Sequence, residues 1–354
     1  MPYNVREEAM MSDQSVSSAA QDAMRPETMK AMVQEKYGPA SEVLEMREVP
    51  IPEIGVDEAL VRVRFSSVNA MEWHLVNGKP YLVRPSFGLR PKNPVLGADV
   101  SGTVVAVGAN VTRFRPGDEV FGEIGAGAYA EFAKGAEGHL VAKPENVSFE
   151  AAAAVGVAGL TALQGLRDLL GVQAGQKVLI NGASGGVGTY AVQIAKALGA
   201  EVTAVCSTRN VDQTWELGAD RVVDYQNDDI TRTDQRFDAF FDIAGKHPLR
   251  DCKRLLAPRG KYLMVGGPKG DWLGPIPRLL RGAFVFALGA KRQKFFVAKS
   301  RADDLAELGS LLSSGQIRSV IESTFPLSDL AIPVDRQGQF HARAKTVIKV
   351  EGTV

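Results

Sequence analysis

The chain has 354 residues, 45% hydrophobic and 23% charged, which is room for two globular domains rather than one small core. Lys+Arg and Asp+Glu balance at 41 each, which excludes a strongly basic nucleic-acid binder and an acidic solvating chain. Cys206 and Cys252 are the only cysteines, so a disulfide framework and a multi-cysteine metal site are excluded and a reducing, cytoplasmic setting is expected.

Residues 1–28 have neither an apolar core nor a basic amphipathic stripe, and they carry Glu7, Glu8, Asp13, Asp22 and Glu27. They read as a loose polar tail rather than a targeting segment. From Met29 to about Phe149 the signals are β. "EALVRVRF" alternates Val61, Val63 and Phe65 with Arg62 and Arg64, the period of a half-buried strand. "SGTVVAVGANV" and "EVFGEIGAGAYAEFAKG" continue the pattern, with "RPGDE" as a turn between them. Short strands punctuated by Gly and Pro predict a compact barrel-like domain. The apolar run "AAAAVGVAGLTALQGL" from Ala151 is interrupted by Thr161 and Gln164 and is too short to predict a membrane span.

After Glu150 the rhythm changes. "KVLINGAS" is a continuous apolar strand, and "TYAVQIAKALG" places Ala191, Ile194, Ala195 and Leu198 on one helix face that stops at Gly199. Strand-like runs "EVTAVCS", "RVVDY", "DAFFDIAG" and "GKYLMVGG" follow, separated by helix-compatible stretches. This alternation predicts an α/β fold with a parallel sheet covered on both faces. "KFFVAK" and the helical "RADDLAELGSLLSSG" complete its last unit, and "RAKTVIKV" reads as a strand that rejoins the first domain.

Between the first strand and helix of that sheet lies "NGASGGVG", Asn181 to Gly188. So many glycines between a strand and a helix suit a backbone that must approach a pyrophosphate, whose charge the free N–H groups at the helix start then hold. The next strand ends "VCSTRN". Ser207, Thr208 and Arg209 stand where an NAD site usually carries a carboxylate, about 20 residues on. A carboxylate repels a 2′-phosphate, whereas an arginine and two hydroxyls pair with it, so NADPH is the expected cofactor. The bland alternative is that Arg209 merely decorates an exposed loop.

Together, "MKAMVQEKYG", "SVNAMEW", "PVLGADVSGTVVAVGANVTRFRPGDEVFG", "GLTALQGL", "NGASGGVG", "VVDY" and "FDIAG" resemble, in order, the medium-chain dehydrogenase/reductase superfamily. Within it they resemble the zinc-free quinone oxidoreductase-like branch. The resemblance implies a GroES-like β-rich catalytic domain over residues 29–150, rejoined by 316–354. It also implies an inserted Rossmann domain, a doubly wound parallel sheet over 151–315, with the active site in the cleft between the two. Zinc-dependent relatives place a cysteine where "SSVNA" has Asn69 and a His-Glu pair where "LGADVSG" has Ala98 and Asp99. His74, His139, His247 and His341 offer no replacement set, so no metal is expected.

Residue by residue, the resemblance implies that Ser184, Gly185, Gly186 and Val187 meet the pyrophosphate. Ser207, Thr208, Arg209 and Tyr225 surround the 2′-phosphate, with strand-end packing as the other role for Tyr225. Ala244, Val265 and Gly266 follow the fourth and fifth strands where the sheet edge meets the ligand, or are ordinary turns there. Thr161 lies near the nicotinamide amide, and Asn69 faces the nicotinamide ribose unless it only shapes a turn. Tyr81 of "VNGKPY" is the catalytic candidate, lining the substrate pocket where oxygen charge develops. Packing under a lid is the equally open role for a loop tyrosine. Glu72 and His74 read as a surface pair rather than a proton relay. The family's glycine before the final lysine is Ala344 here, so nothing is carried over from that end.

The expected activity is zinc-independent, NADPH-dependent hydride transfer to an activated double bond of a quinone or enone. Carbonyl reduction or alcohol oxidation, and a non-catalytic NADPH-binding interaction protein, are the alternatives. The expected partner is a small-molecule quinone, enone or carbonyl compound, with no nucleic acid and no membrane span; a homodimer is possible from the family. Pocket shape depends on Tyr81 to Lys92 and on "GPIPRLLRGAFVFALGAKRQKFF", Gly274 to Phe296, which reads as a subunit-interface or lid helix ahead of a membrane-surface contact.

Overall fold

A computed structural model describes residues 27–81, 88–266, 276–287, 291–338 and 343–350. Nearly all of the expected polar tail, part of the segment from Tyr81 to Lys92, part of the Gly274–Phe296 stretch, and His341 lie outside the described residues. The chain opens with an antiparallel pair, β1 (Thr28–Gln34) and β2 (Leu44–Pro50). A larger sheet follows, built from β3 (Glu58–Val68), β4 (Asp99–Val107), β5 (Glu119–Glu123), β6 (Phe132–Ala136) and β7 (Leu140–Ala142). In β3 the valines at 61 and 63 are buried while Arg64 is exposed, as its alternation predicts.

The second sheet comprises β8 (Lys177–Asn181), β9 (Glu201–Cys206), β10 (Arg221–Asp224), β11 (Phe237–Asp242), β12 (Leu256–Met264) and β13 (Arg292–Phe295). All its pairings are parallel, and its order is β10-β9-β8-β11-β12-β13. The chain reverses its direction of winding between β8 and β11, which places a ligand crevice outside the carboxyl ends of those strands. Val178, Leu179 and Ile180 of β8 are fully buried, because this strand has neighbours on both edges and layers on both faces.

The last strands, β14 (Ile321–Pro326) and β15 (Lys345–Lys349), belong to the first sheet, whose order is β14-β15-β3-β4-β5-β7, with β6 also paired to β3. The sequence therefore leaves the β-rich region, builds the parallel sheet and returns. The architecture is a GroES-like β-rich unit plus a Rossmann-like parallel sheet.

Four helices matter for the site: α1 (Ala70–Asn77), α2 (Phe149–Gln164), α3 (Gly186–Ala197) and α4 (Val211–Glu216). α2 starts at a Ser148 cap, whose side chain accepts the Ala151 N–H, and continues as a π-helical turn to Leu170. The resulting 22-residue helix is long and apolar enough to cross a membrane by composition, but 78% of its apolar window is buried inside the protein. It is a core helix packed against β3, β4, β5 and β15 of the β-rich sheet and against α3, and its π-helical turn contacts β11 and β12 of the parallel sheet.

Candidate active site

The turn after β8 is shaped by two glycines that no other residue can replace without strain. Gly182 has φ +89°, a left-handed conformation. A Cβ on Gly188 would lie 2.1 Å from the Gly182 carbonyl oxygen and 2.7 Å from the Ala183 backbone. Gly185 then caps α3, whose first N–H groups have no partner within the helix. The face expected from Ala191, Ile194 and Ala195 is buried, fixing the helix against the sheet.

The predicted cofactor residues gather at these strand ends. Asn210, 3% exposed, donates from Nδ2 to Ser184 Oγ and Ser207 Oγ, 3.0 Å each, tying the first turn to the end of β9. Its Oδ1 is buried with no partner among the described residues, an acceptor suited to a ligand hydroxyl. On the other side, the Asn181 carbonyl accepts Ile243 N–H at 3.0 Å and Ala244 N–H at 3.4 Å. Val265 N–H reaches the Asp242 carbonyl, and a Cβ on Gly266 would strike the Ile243 carbonyl at 2.0 Å, so that turn too requires glycine. Val187 packs against the core beneath α3.

Thr208 Oγ1 lies 2.6 Å from Asp224 Oδ2 and 2.5 Å from Gln226 Oε1. The hydroxyl bond holds the half-buried Asp224 carboxyl below its ordinary range, so a charged carboxylate stands at the end of β10 beside this corner. Tyr225 is half-exposed next to it, its N–H on the Cys206 carbonyl. Arg209 lines a cleft of about 400 Å³ with Gln213, Arg318 and Arg343. Tyr81 is half-buried at the border of undescribed residues, with the Lys79 ammonium 6.0 Å from its ring centre.

Toward the first sheet, Thr161 is buried on α2 with its hydroxyl on the Val157 carbonyl at 2.6 Å. Asn69 caps α1 and is also buried; its Nδ2 donates to Asp99 Oδ2 at 2.9 Å and its Oδ1 accepts from Lys345 Nζ at 2.6 Å. Ser67 Oγ donates to the same Asp99 oxygen at 2.5 Å. Glu72 corrects the sequence expectation of a surface pair: it is 2% exposed and accepts the Asn69 N–H at 2.9 Å. Burial and the nearby Asp99 carboxylate push its carboxyl up to about 7. His74 turns elsewhere, its Nδ1 on the Lys79 carbonyl at 3.0 Å. Asn210, Asp99 and Lys345 are the site residues the sequence reading passed over. No cluster of three or more His, Cys, Asp or Glu suited to a metal ion occurs among the described residues.

A glycine turn at the switch point of a parallel sheet, facing a polar cluster from a β-rich unit, defines a dinucleotide-binding two-domain protein. Residues 55–145 match the alcohol dehydrogenase GroES-like domain and residues 217–348 match the zinc-binding dehydrogenase model. A chloroplast envelope quinone oxidoreductase homolog of Arabidopsis thaliana is 32% identical, spanning 92% of this chain and 100% of the relative. The trans-enoyl reductase pgmF of Aspergillus terreus is 32% identical over 93% of this chain and 98% of its own. The solved quinone oxidoreductase of Coxiella burnetii superposes with a TM-score of 0.82 at 29% identity, covering 92% of this chain and all of that one. The chain belongs to the medium-chain dehydrogenase/reductase superfamily, in its quinone oxidoreductase-like branch, a family of oxidoreductases that use a nicotinamide cofactor.

Proposed function

We propose that this protein is a zinc-independent, NADPH-dependent reductase that delivers hydride to the activated double bond of a quinone or enone. The carrying observation is the crevice itself: the Gly182–Gly188 turn opens onto a strand end occupied by Ser207, Thr208 and Arg209. The turn fits a diphosphate because its close backbone approaches leave no room for side chains, and the unpaired Asn210 oxygen fits a ribose hydroxyl. A bound nicotinamide supplies the hydride; the protein supplies orientation and exclusion of water.

In this reading Ser184 to Val187 hold the pyrophosphate, while Ser207, Arg209 and Tyr225 take the 2′-phosphate. Asp224 opposes them with its charge, so binding the phosphate requires Thr208 and Arg209 to offset it. Ala244, Val265 and Gly266 border the nicotinamide half, and Asn69 and Thr161 face it from the β-rich side. Tyr81 stands for the donor that steadies developing oxygen charge on the substrate. The printed names of the relatives, a quinone oxidoreductase and an enoyl reductase, support both acceptor classes. Two free, buried cysteines support a cytoplasmic setting. The test is loss of NADPH absorbance with a panel of quinones, enones, aldehydes and alcohols, in the presence of chelator. Turnover of enones or quinones supports the proposal; activity confined to alcohols and aldehydes, or none at all, overturns it.

A further inference from the structure

Lys345 and Asp99 are a buried ion pair, 2% and 0% exposed at the side chain, with Nζ 3.5 Å from Oδ2. Removing two charges from water costs more than their attraction commonly returns, so stability alone is a poor reason for such a pair. The geometry supplies another. The shortest bond of Lys345 is not to Asp99 but to Asn69 Oδ1, at 2.6 Å, while Asp99 grips Asn69 Nδ2 at 2.9 Å. A cation on the amide oxygen and an anion on the amide nitrogen fix which way the amide faces. A third bond from Lys345 to the Val68 carbonyl, at 3.3 Å, uses its remaining donor.

The same residues reach the other half of the site. The Lys345 stem lies under the glycine turn, where a Cβ on Gly186 would meet its Cδ at 3.1 Å. The preceding residue, Ala344, donates its N–H to the Ser184 carbonyl at 2.7 Å and holds φ 51° to do so. Asp99 Oδ1 accepts the Val157 N–H at 2.7 Å, the turn of α2 just before Thr161, and a Cβ on Gly156 would sit 2.2 Å from that oxygen. Asn69 directly, and Thr161 through the Val157 turn, therefore connect to one buried charge pair.

We propose that Lys345 is a positioning residue: paired with Asp99, it locks the Asn69 amide in one orientation and registers it against the phosphate-binding turn. This rests on the cofactor reading above, and it deepens that reading by assigning a role to the C-terminal strand. The pair acts through Asn69 and not by touching substrate.

The experiment compares wild type with Lys345→Met and with the double variant Asp99→Asn/Lys345→Met, which leaves no unpaired buried charge and guards against simple misfolding. Two readouts are taken on the full chain. The first is the NMR signal and hydrogen-exchange protection of the Asn69 side-chain amide, assigned with Asn69→Asp. The second is the split between NADPH dissociation constant and kcat with a quinone. The expected result is loss of amide protection in both variants, with kcat falling about tenfold or more while NADPH affinity stays within about threefold. Retained amide protection, or a kcat that does not fall in the folded double variant, overturns the proposal. A wild type that turns over no acceptor instead defeats the functional reading; the amide readout then decides the role of Lys345 by itself.

Discussion

The glycine turn and the buried junction beneath it are the two halves of the proposed site, and they are built on opposite principles. The turn from Gly182 to Gly188 is local: seven consecutive residues whose shape follows from missing side chains and one left-handed φ. The junction of Ser67, Asn69, Glu72, Asp99 and Lys345 is assembled from β3, α1, β4 and β15, with its ion pair 246 residues apart in sequence. The turn gains function by leaving backbone groups open for an anion. The junction would serve it by satisfying its charged side chains with hydrogen bonds from several elements. A binding surface and the frame that aims it thus place different demands on sequence.

That contrast can be broken from either side. The largest effect is expected at the junction: Asp99→Ala leaves Lys345 as an uncompensated buried cation and should cost about 3–5 kcal/mol in chemical denaturation. At the turn, Gly188→Ala drives a Cβ into immovable backbone and should cost about 1–3 kcal/mol, with loss of cofactor binding measured by fluorescence titration. Asn210→Ala removes the bridge between Ser184 and Ser207 and should cost about 1–2 kcal/mol, again with weaker cofactor binding.

A pH series sharpens the comparison. Burial raises the Glu72 carboxyl from 4.5 to about 7, so the folded protein holds this proton more tightly than the unfolded chain. Its contribution to stability is full below about 4.5 and is lost as pH rises through about 7. Glu72→Gln should therefore gain stability relative to wild type between pH 5 and pH 8, read from melting temperatures; a constant difference across that range contradicts the assignment. The smallest effect belongs to the exposed Arg318–Glu216 pair, 59% and 66% exposed: Arg318→Ala should change stability by less than about 1 kcal/mol.

The same locality explains what could be read in advance. The parallel sheet, the turn and the face of α3 were legible because each is written in consecutive residues with a fixed period. Asn69 and Glu72 carried a readable signal that was undervalued: Asn-x-x-Glu at a helix start is the pattern in which the fourth residue folds back onto the first, and that bond is what buries Glu72. Asp99 was visible only as the residue occupying a metal ligand's usual neighbourhood, and Lys345 only as the end of a strand. Nothing local distinguishes a lysine facing solvent from one enclosed by three acceptors, because the enclosure is made by strands that meet only after folding. The run from Ala151 is weighed in the sequence only as a membrane span; it forms most of α2, where the interrupting Thr161 and Gln164 are buried polar residues satisfied by the Val157 carbonyl and by Asp304.

The most direct test of the central claim is a pair of titrations, NADPH and NADH, against wild type and Arg209→Ala. Wild type should hold NADPH about tenfold or more tighter than NADH, and Arg209→Ala should erase most of that preference while leaving NADH affinity nearly unchanged. Equal or tighter binding of NADH by the wild type, or no binding of either, contradicts the account.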